Sequence, residues 1–137
     1  MEMKKKLNCI LLVDDNNEDN VYHKIILKQM DIVNRIDIVV NGLEALAYLK
    51  KENQIPPELI FLDINMPKMN GWEFLEQYKH LDVKQKARVV IMVLTTSQNP
   101  DDIKKAKEIQ EVTGFKTKPL DEKMMTEILT QYFQDYF

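Results

Sequence analysis

The chain predicts a three-layer α/β sandwich in which one parallel sheet of five strands lies between layers of helices. Three observations predict it. Short apolar, β-branched runs alternate with helix-patterned stretches along the 137 residues. The first, third and fourth runs are nearly continuous in apolar residues, as strands covered on both faces are. The runs also end in polar residues that suit chemistry: Asp14 and Asp15, Asp63, Thr95 and Lys118.

The elements follow in order. The first strand is Leu7–Val13, which runs straight into Asp14 and Asp15. A helix over about 18–30 comes next, with Val21, Ile25 and Ile26 as its expected buried face. The second strand is Ile36–Val40, and the helix over 42–52 is expected to bury Leu43, Leu46 and Leu49. The third strand, Leu59–Leu62, stops at Asp63 and is followed by a helix over 71–80. The fourth, Val89–Leu94, leads to Thr95. Asn99 then stands as N-cap before Pro100, with Asp101 and Asp102 in the first turn of a helix over 100–110, charges that suit the helix dipole. The fifth strand, Gly114–Thr117, leads to Lys118, and a last helix runs from about 121 to 135. Parallel strands need crossovers, which are right-handed, so this alternation builds a doubly wound sheet. The default order is the flavodoxin-like 2-1-3-4-5, in which the ends of the first and third strands meet at the switch point where ligands bind. Asp14, Asp15 and Asp63 are then expected to converge. No linker or repeat divides residues 1–137, read as one domain with a flexible basic start over 1–6.

Composition narrows the function. Hydrophobic residues at 45% and charged residues at 30% are ordinary for a globular domain with a real core. A net charge of −3 carries no basic footprint, so nucleic acid is not expected as a partner. The apolar stretch after the basic start is too short for a secretory signal and leads into two aspartates. No run approaches a membrane span, so a cytoplasmic protein is expected. Cys9 has no second cysteine to pair with and sits in an apolar run, where it reads as a buried packing residue.

Three carboxylates within a few ångströms repel one another, each pair by roughly 1 to 4 kcal/mol at about 4 Å. A hard cation among the oxygens relieves that repulsion, and Mg²⁺ suits a site with few carboxylates and retained waters. Such an ion can clamp a phosphoryl oxygen for in-line attack by a free acid. Glu18 and Asp19, in the same loop, read as solvated or capping residues. The only glycines are Gly42, Gly71 and Gly114, each at an element boundary, so no Gly-rich cradle for a nucleotide exists. The acidic loop DDNNEDN would repel the phosphate of a flavin.

The segments ILLVDD, LIFLDINMPKMNGWEF, VIMVLTTS and GFKTKP, in that order and spacing, resemble the receiver domain of bacterial two-component response regulators over almost the whole chain. The resemblance implies roles residue by residue. Asp63 matches the phosphoacceptor that attacks a phosphohistidine and becomes an aspartyl phosphate. Asp14 and Asp15 match the Mg²⁺-binding acidic pair, and Asn65 the position whose backbone carbonyl joins the metal. Thr95 matches the switch hydroxyl, Lys118 the ammonium that pairs with the phosphoryl group, and Phe115 the switch aromatic. The Lys118–Pro119 bond falls where the family usually has a cis peptide. Some positions depart from the pattern: Thr96 stands where a smaller residue is preferred, and Asn65 and Ser97 occupy positions that tune phosphate loss. The segment Ile109–Thr113 lacks the usual small pair.

His23 and His80 read as surface histidines, since phosphotransfer histidines sit on helical bundles, and Trp72 reads as packing. In the last helix Met124, Ile128 and Tyr132 form one column and Met125, Leu129 and Phe133 a second, extended by Tyr136 and Phe137. Either both columns pack inside, or this helix and the fifth strand present them to a partner or a second copy. The reading is a single-domain response regulator, a signalling domain rather than an enzyme. Its expected partners are a histidine kinase or histidine phosphotransfer protein, a downstream target, and a second copy of the chain. Two rivals stay open: an Mg²⁺-dependent phosphohydrolase, which needs a dedicated general acid or base, and an interaction module that never takes phosphate.

Overall fold

The computed structural model describes residues 2–86 and 90–137; Met1 and Val89, the expected first residue of the fourth strand, lie outside the described residues. The strands are β1 (Leu7–Val13), β2 (Val33–Val39), β3 (Leu59–Leu62), β4 (Val90–Thr95) and β5 (Gly114–Thr117). They are parallel and ordered β2-β1-β3-β4-β5. Between and after them lie α1 (Asn17–Met30), α2 (Gly42–Lys50), α3 (Gly71–Tyr78), α4 (Pro100–Glu108) and α5 (Glu122–Tyr132).

The continuous apolar runs are explained by two cores, one on each face of the sheet. Ile10 and Leu12, Leu59 and Phe61, and Met92 and Leu94 pack beneath α1 and α5 with Leu27, Ile128, Leu129 and Phe133. Their neighbours Leu11, Val13, Ile60, Leu62 and Ile91 pack on the other face with Leu46, Leu49, Phe74 and Leu75 of α2 and α3. Alternation along a strand sends adjacent residues to opposite sides, so both must be apolar.

Helix ends obey local chemistry. Asn16, Asn41, Asn70, Asn99 and Asp121 each cap the following helix by accepting a backbone N–H. Asn70 and Glu73 close a reciprocal capping box at α3. α1 stops at Asp31, left-handed at φ 54°, without needing glycine. β2 begins earlier than its apolar pattern, because pairing of Leu7 with Val33 carries polar Asn34 and Arg35 into an edge strand.

Two expected helix faces and one histidine are corrected. In α1 the buried residues are Asn20, His23 and Leu27, while Val21 and Ile25 are 49% and 48% exposed and Ile26 is half-buried. His23 is therefore a core histidine, only 2% exposed, whereas His80 lies at the surface as expected. In α2 Leu43 points outward and Ala45, Leu46 and Leu49 point inward. Cys9 is buried, yet not wholly among hydrocarbons: its Sγ lies 3.4 Å from the Tyr48 hydroxyl, and burial pushes the thiol up.

The wide face of α5 is taken up within the chain. Met125, Ile128, Leu129 and Phe133 are buried, and Met124, Tyr132, Tyr136 and Phe137 pack against the same core. The Tyr136 hydroxyl donates to buried Glu58, and its carbonyl accepts from the N–H groups of Lys4 and Lys5 at 2.7 and 3.2 Å. The final aromatics thus tie the basic start to the sheet instead of fraying.

Candidate functional site

Hydrogen bonds that run one residue past the strands align the site. The Asp14 N–H donates to Val39 O at 3.0 Å and the Asp63 N–H to Val13 O at 2.9 Å, so both aspartates leave the sheet side by side. The Lys118 N–H donates to Thr95 O at 2.8 Å and extends the β4–β5 ladder in the same way. Gly71 holds α3 against this edge, its N–H bonded to Ile64 O at 3.1 Å. A Cβ there would sit 2.6 Å from the Asp63 carbonyl, so any other residue would displace the backbone that carries Asp63.

Asp14, Asp15 and Asp63 each offer a carboxylate oxygen, and these lie within 4.8 Å of one another. Asp14 and Asp63 are buried and Asp15 is exposed, so the cluster opens to solvent on one side. An all-oxygen anionic set of this kind fits a hard divalent cation such as Mg²⁺. Lys118 reaches into the same space: its Nζ lies 2.5 Å from Asp14 Oδ2, 2.8 Å from Asp19 Oδ2 and 3.4 Å from Asp63 Oδ2. The Lys118 side chain is 7% exposed. Burial by itself would lower its ammonium, but hydrogen bonds to Asp14 and Asp19 and the charge of Asp63 outweigh it and hold the group above its ordinary range. Burial raises the Asp14 carboxyl, against the pull of Lys118 and of the Asn16 N–H at 2.9 Å; the charge of Asp63 adds to the rise. Two buried carboxylates sharing one cation still carry excess negative charge.

The other expected residues surround this centre. The Asn65 N–H points to Asp63 Oδ1 at 3.4 Å, and the Asn65 side chain is exposed. Thr95 is fully buried, with its Oγ1 accepting from the Ser97 N–H at 3.3 Å. Thr96 is exposed beside it. The Ser97 hydroxyl is committed to Asp102 of α4 at 2.6 Å. Phe115 is half-buried on β5 and borders a cavity of about 360 Å³ between α4 and β5. The Lys118–Pro119 peptide is cis, as expected. The segment without the small pair joins smoothly, Thr113 N–H donating to Ile91 O at 2.8 Å. Trp72 is half-buried against the core, with the Lys105 ammonium 4.9 Å from its ring centre.

Three residues of α1 join the site without having been expected there. Asp19 is an ion-pair partner of Lys118 rather than a solvated acid. The Asn20 side chain donates to Asp14 O at 2.8 Å. His23 Nε2 accepts the Leu120 N–H at 3.2 Å, two residues past Lys118. The available signal was the i, i+4 spacing of Asp19 and His23, which puts both on one helix face.

His23 gives a pH prediction. As an acceptor at Nε2 it must be neutral, and burial, then the Lys118 charge, lowers its pKa below the ordinary 6.5 despite the opposing charge of Asp19. The unfolded chain therefore binds the proton first as pH falls. This contribution to stability is complete above the unfolded value of 6.5 and is lost as pH drops below it, by at most ~1.4 kcal/mol per pH unit. Urea unfolding at pH values on either side of that value should show a steeper loss for wild type than for His23→Gln. Equal slopes would remove His23 from the account.

Comparison with known proteins agrees with this fold. Residues 10–130 match the model of the response regulator receiver domain, and the chain belongs to that family. It is 40% identical over 99 residues to response regulator Rcp1 of Synechocystis, an alignment covering 69% of this chain and 65% of that protein. It is also 40% identical over 81 residues to sporulation initiation phosphotransferase F of Bacillus subtilis, covering 59% of each. Among solved structures, a two component response regulator from Cytophaga hutchinsonii superposes with a TM-score of 0.82 at 27% identity, over 93% of this chain and 97% of that one. The Mn²⁺-bound form of Rcp1 superposes with a TM-score of 0.74 at 34% identity, over 90% and 92%. No helix among the described residues is long and apolar enough to cross a membrane.

Proposed function

We propose that this receiver takes a phosphoryl group on Asp63 from a histidine kinase or histidine phosphotransfer protein in the cytoplasm, and that the modification resets a partner-binding surface around β4 and β5. The observation that carries the reading is the placement of Asp63 beside Asp14 and Asp15 with the Lys118 ammonium 3.4 Å away. Asp14, Asp15, Asp63 and the Asn65 carbonyl would hold Mg²⁺, which when bound neutralises charge on the transferring group.

The chain's own residues do the rest. A carboxylate oxygen of Asp63 forms the new O–P bond as the P–N bond of a phosphohistidine breaks, its electron pair leaving on the imidazole nitrogen. Lys118 then supplies positive charge to the transferred oxygens. Thr95 turns its hydroxyl from the Ser97 N–H toward the same oxygens, and Phe115 on the paired strand changes its exposure. Phosphorylation biases a two-state equilibrium only by its differential contacts with the two states. The outward face of α1, with Val21, Tyr22 and Ile25 all near half exposed, begins at the site loop and suits the apolar groove of a helical donor.

Incubation with acetyl phosphate and Mg²⁺, followed by intact mass, tests the reading: one added phosphoryl group is expected, and none with chelator. Continuous release of inorganic phosphate without a labelled protein would favour the phosphohydrolase. No label at any donor concentration would leave an interaction module.

A further inference from the structure

We infer that Asp19 is a positioning residue that holds the Lys118 ammonium off Asp63 in the unphosphorylated protein, so that phosphorylation must win Lys118 away from α1. The inference rests on Asp63 as phosphoacceptor. An ammonium has three donors, and here they face Asp14 at 2.5 Å, Asp19 at 2.8 Å and Asp63 at 3.4 Å. The longest of the three contacts is the one to the acceptor. A contact from Nζ to Asp63, or to a phosphoryl group there, competes for the same three donors with the two shorter ones already made.

Asp19 differs from Asp14 in a way that matters. Asp14 belongs to the three-carboxylate cluster and would share its charge with a cation; Asp19 lies outside that cluster and keeps its charge for Lys118. Asp19 is also one helical turn from His23, whose ring anchors the Leu120 N–H. The two side chains grip the same stretch, residues 118–120, from one face of α1. With the backbone of that stretch tied by His23, the reach of Lys118 is decided by its side-chain torsions and by which anion claims it. The opposite face of α1 carries the exposed Val21 and Ile25, so a donor seated there presses on the helix that holds Lys118.

The test is the affinity for beryllofluoride, a phosphoryl mimic, at saturating Mg²⁺, followed by Trp72 fluorescence or calorimetry. Asp19→Asn keeps the helix start, capped by Asn16 through the backbone of residue 19, but releases Lys118. It should tighten beryllofluoride by about threefold to fivefold, the upper part of the range for a partly exposed ion pair. Glu18→Gln removes an equal charge from the neighbouring exposed position and should change affinity by less than about twofold, because exposed charges are screened. An unchanged or weakened affinity in Asp19→Asn, or equal tightening in Glu18→Gln, would overturn the inference. Wild type that ignores beryllofluoride, or Asp63→Ala that binds it as well as wild type does, would instead sink the phosphoacceptor reading itself, and the inference with it.

Discussion

Asp63→Ala is expected to abolish phosphoryl uptake from acetyl phosphate, with no added mass under conditions that label wild type to one group per chain. The neighbouring acids cannot take over. Asp14 is committed to Lys118 at 2.5 Å and to the Asn16 N–H at 2.9 Å, and Asp15 lies in the open, without a bonded ammonium among the described contacts. Of the two buried acids in the cluster, Asp63 is the one held less tightly by the ammonium, at 3.4 Å against 2.5 Å for Asp14, which leaves its oxygen free to attack. Lys118→Ala should still be labelled, about 100- to 1,000-fold more slowly, the order expected when one preorganised charge donor is removed. Thr95→Ala should also be labelled, yet lose the phosphorylation-dependent change in partner binding, since its hydroxyl is read as sensing the group rather than transferring it. Label that persists in Asp63→Ala would move the acceptor elsewhere and end the central claim.

The second large effect is thermal. Millimolar Mg²⁺ should raise the melting temperature, because a ligand bound only by the folded state stabilises it by mass action: about 1.4 kcal/mol at ten times Kd, or about 5 °C for a domain of this size. In chelator, Asp63→Asn should melt higher than wild type by about 1 to 2 kcal/mol, since it removes one of the mutually repelling charges. The loss of the Lys118 contact offsets little of this, that contact being the longest of the three. The same variant should respond less to Mg²⁺, having given up one anionic ligand. Calorimetry of both proteins in chelator and in Mg²⁺ checks all these shifts together. A metal-free Asp63→Asn that melts no higher, with a wild type indifferent to Mg²⁺, would mean that the carboxylates do not act as one site.

Much of this molecule is legible without coordinates. Strand identity is written in runs such as Leu7–Val13 and Leu59–Leu62, whose bounds the structure repeats, because burial on both faces favours apolar residues throughout, with the exposed Asn8 near the start of the first run as the exception. The carboxyl ends of those runs place Asp14, Asp15, Asp63, Thr95 and Lys118 at one edge, since a parallel sheet in the order 2-1-3-4-5 admits no other arrangement of its strand ends. Caps are equally local: Asn99 before Pro100 needs nothing beyond its neighbours to start α4.

Tertiary structure decided what depends on direction and partnership. The apolar residues Val21 and Ile25 suggest one buried face for α1, but the sheet receives the face of Asn20, His23 and Leu27. Each of the two buried polar residues there gains one bond, Asn20 Nδ2 to Asp14 O and His23 Nε2 from the Leu120 N–H, while Asn20 Oδ1 has no partner among the described residues; the partner of His23 lies 97 residues away. Asp19 looks like any solvated acid until the fold brings Lys118 to it from 99 residues away. Likewise the two columns of α5 fit either an interface or a core, and only packing under Phe133, Tyr136 and Phe137 assigns them inward. Sequence periodicity states which residues can share a face. Which face meets the sheet, and which charges meet across it, follows from long-range packing that no local window contains.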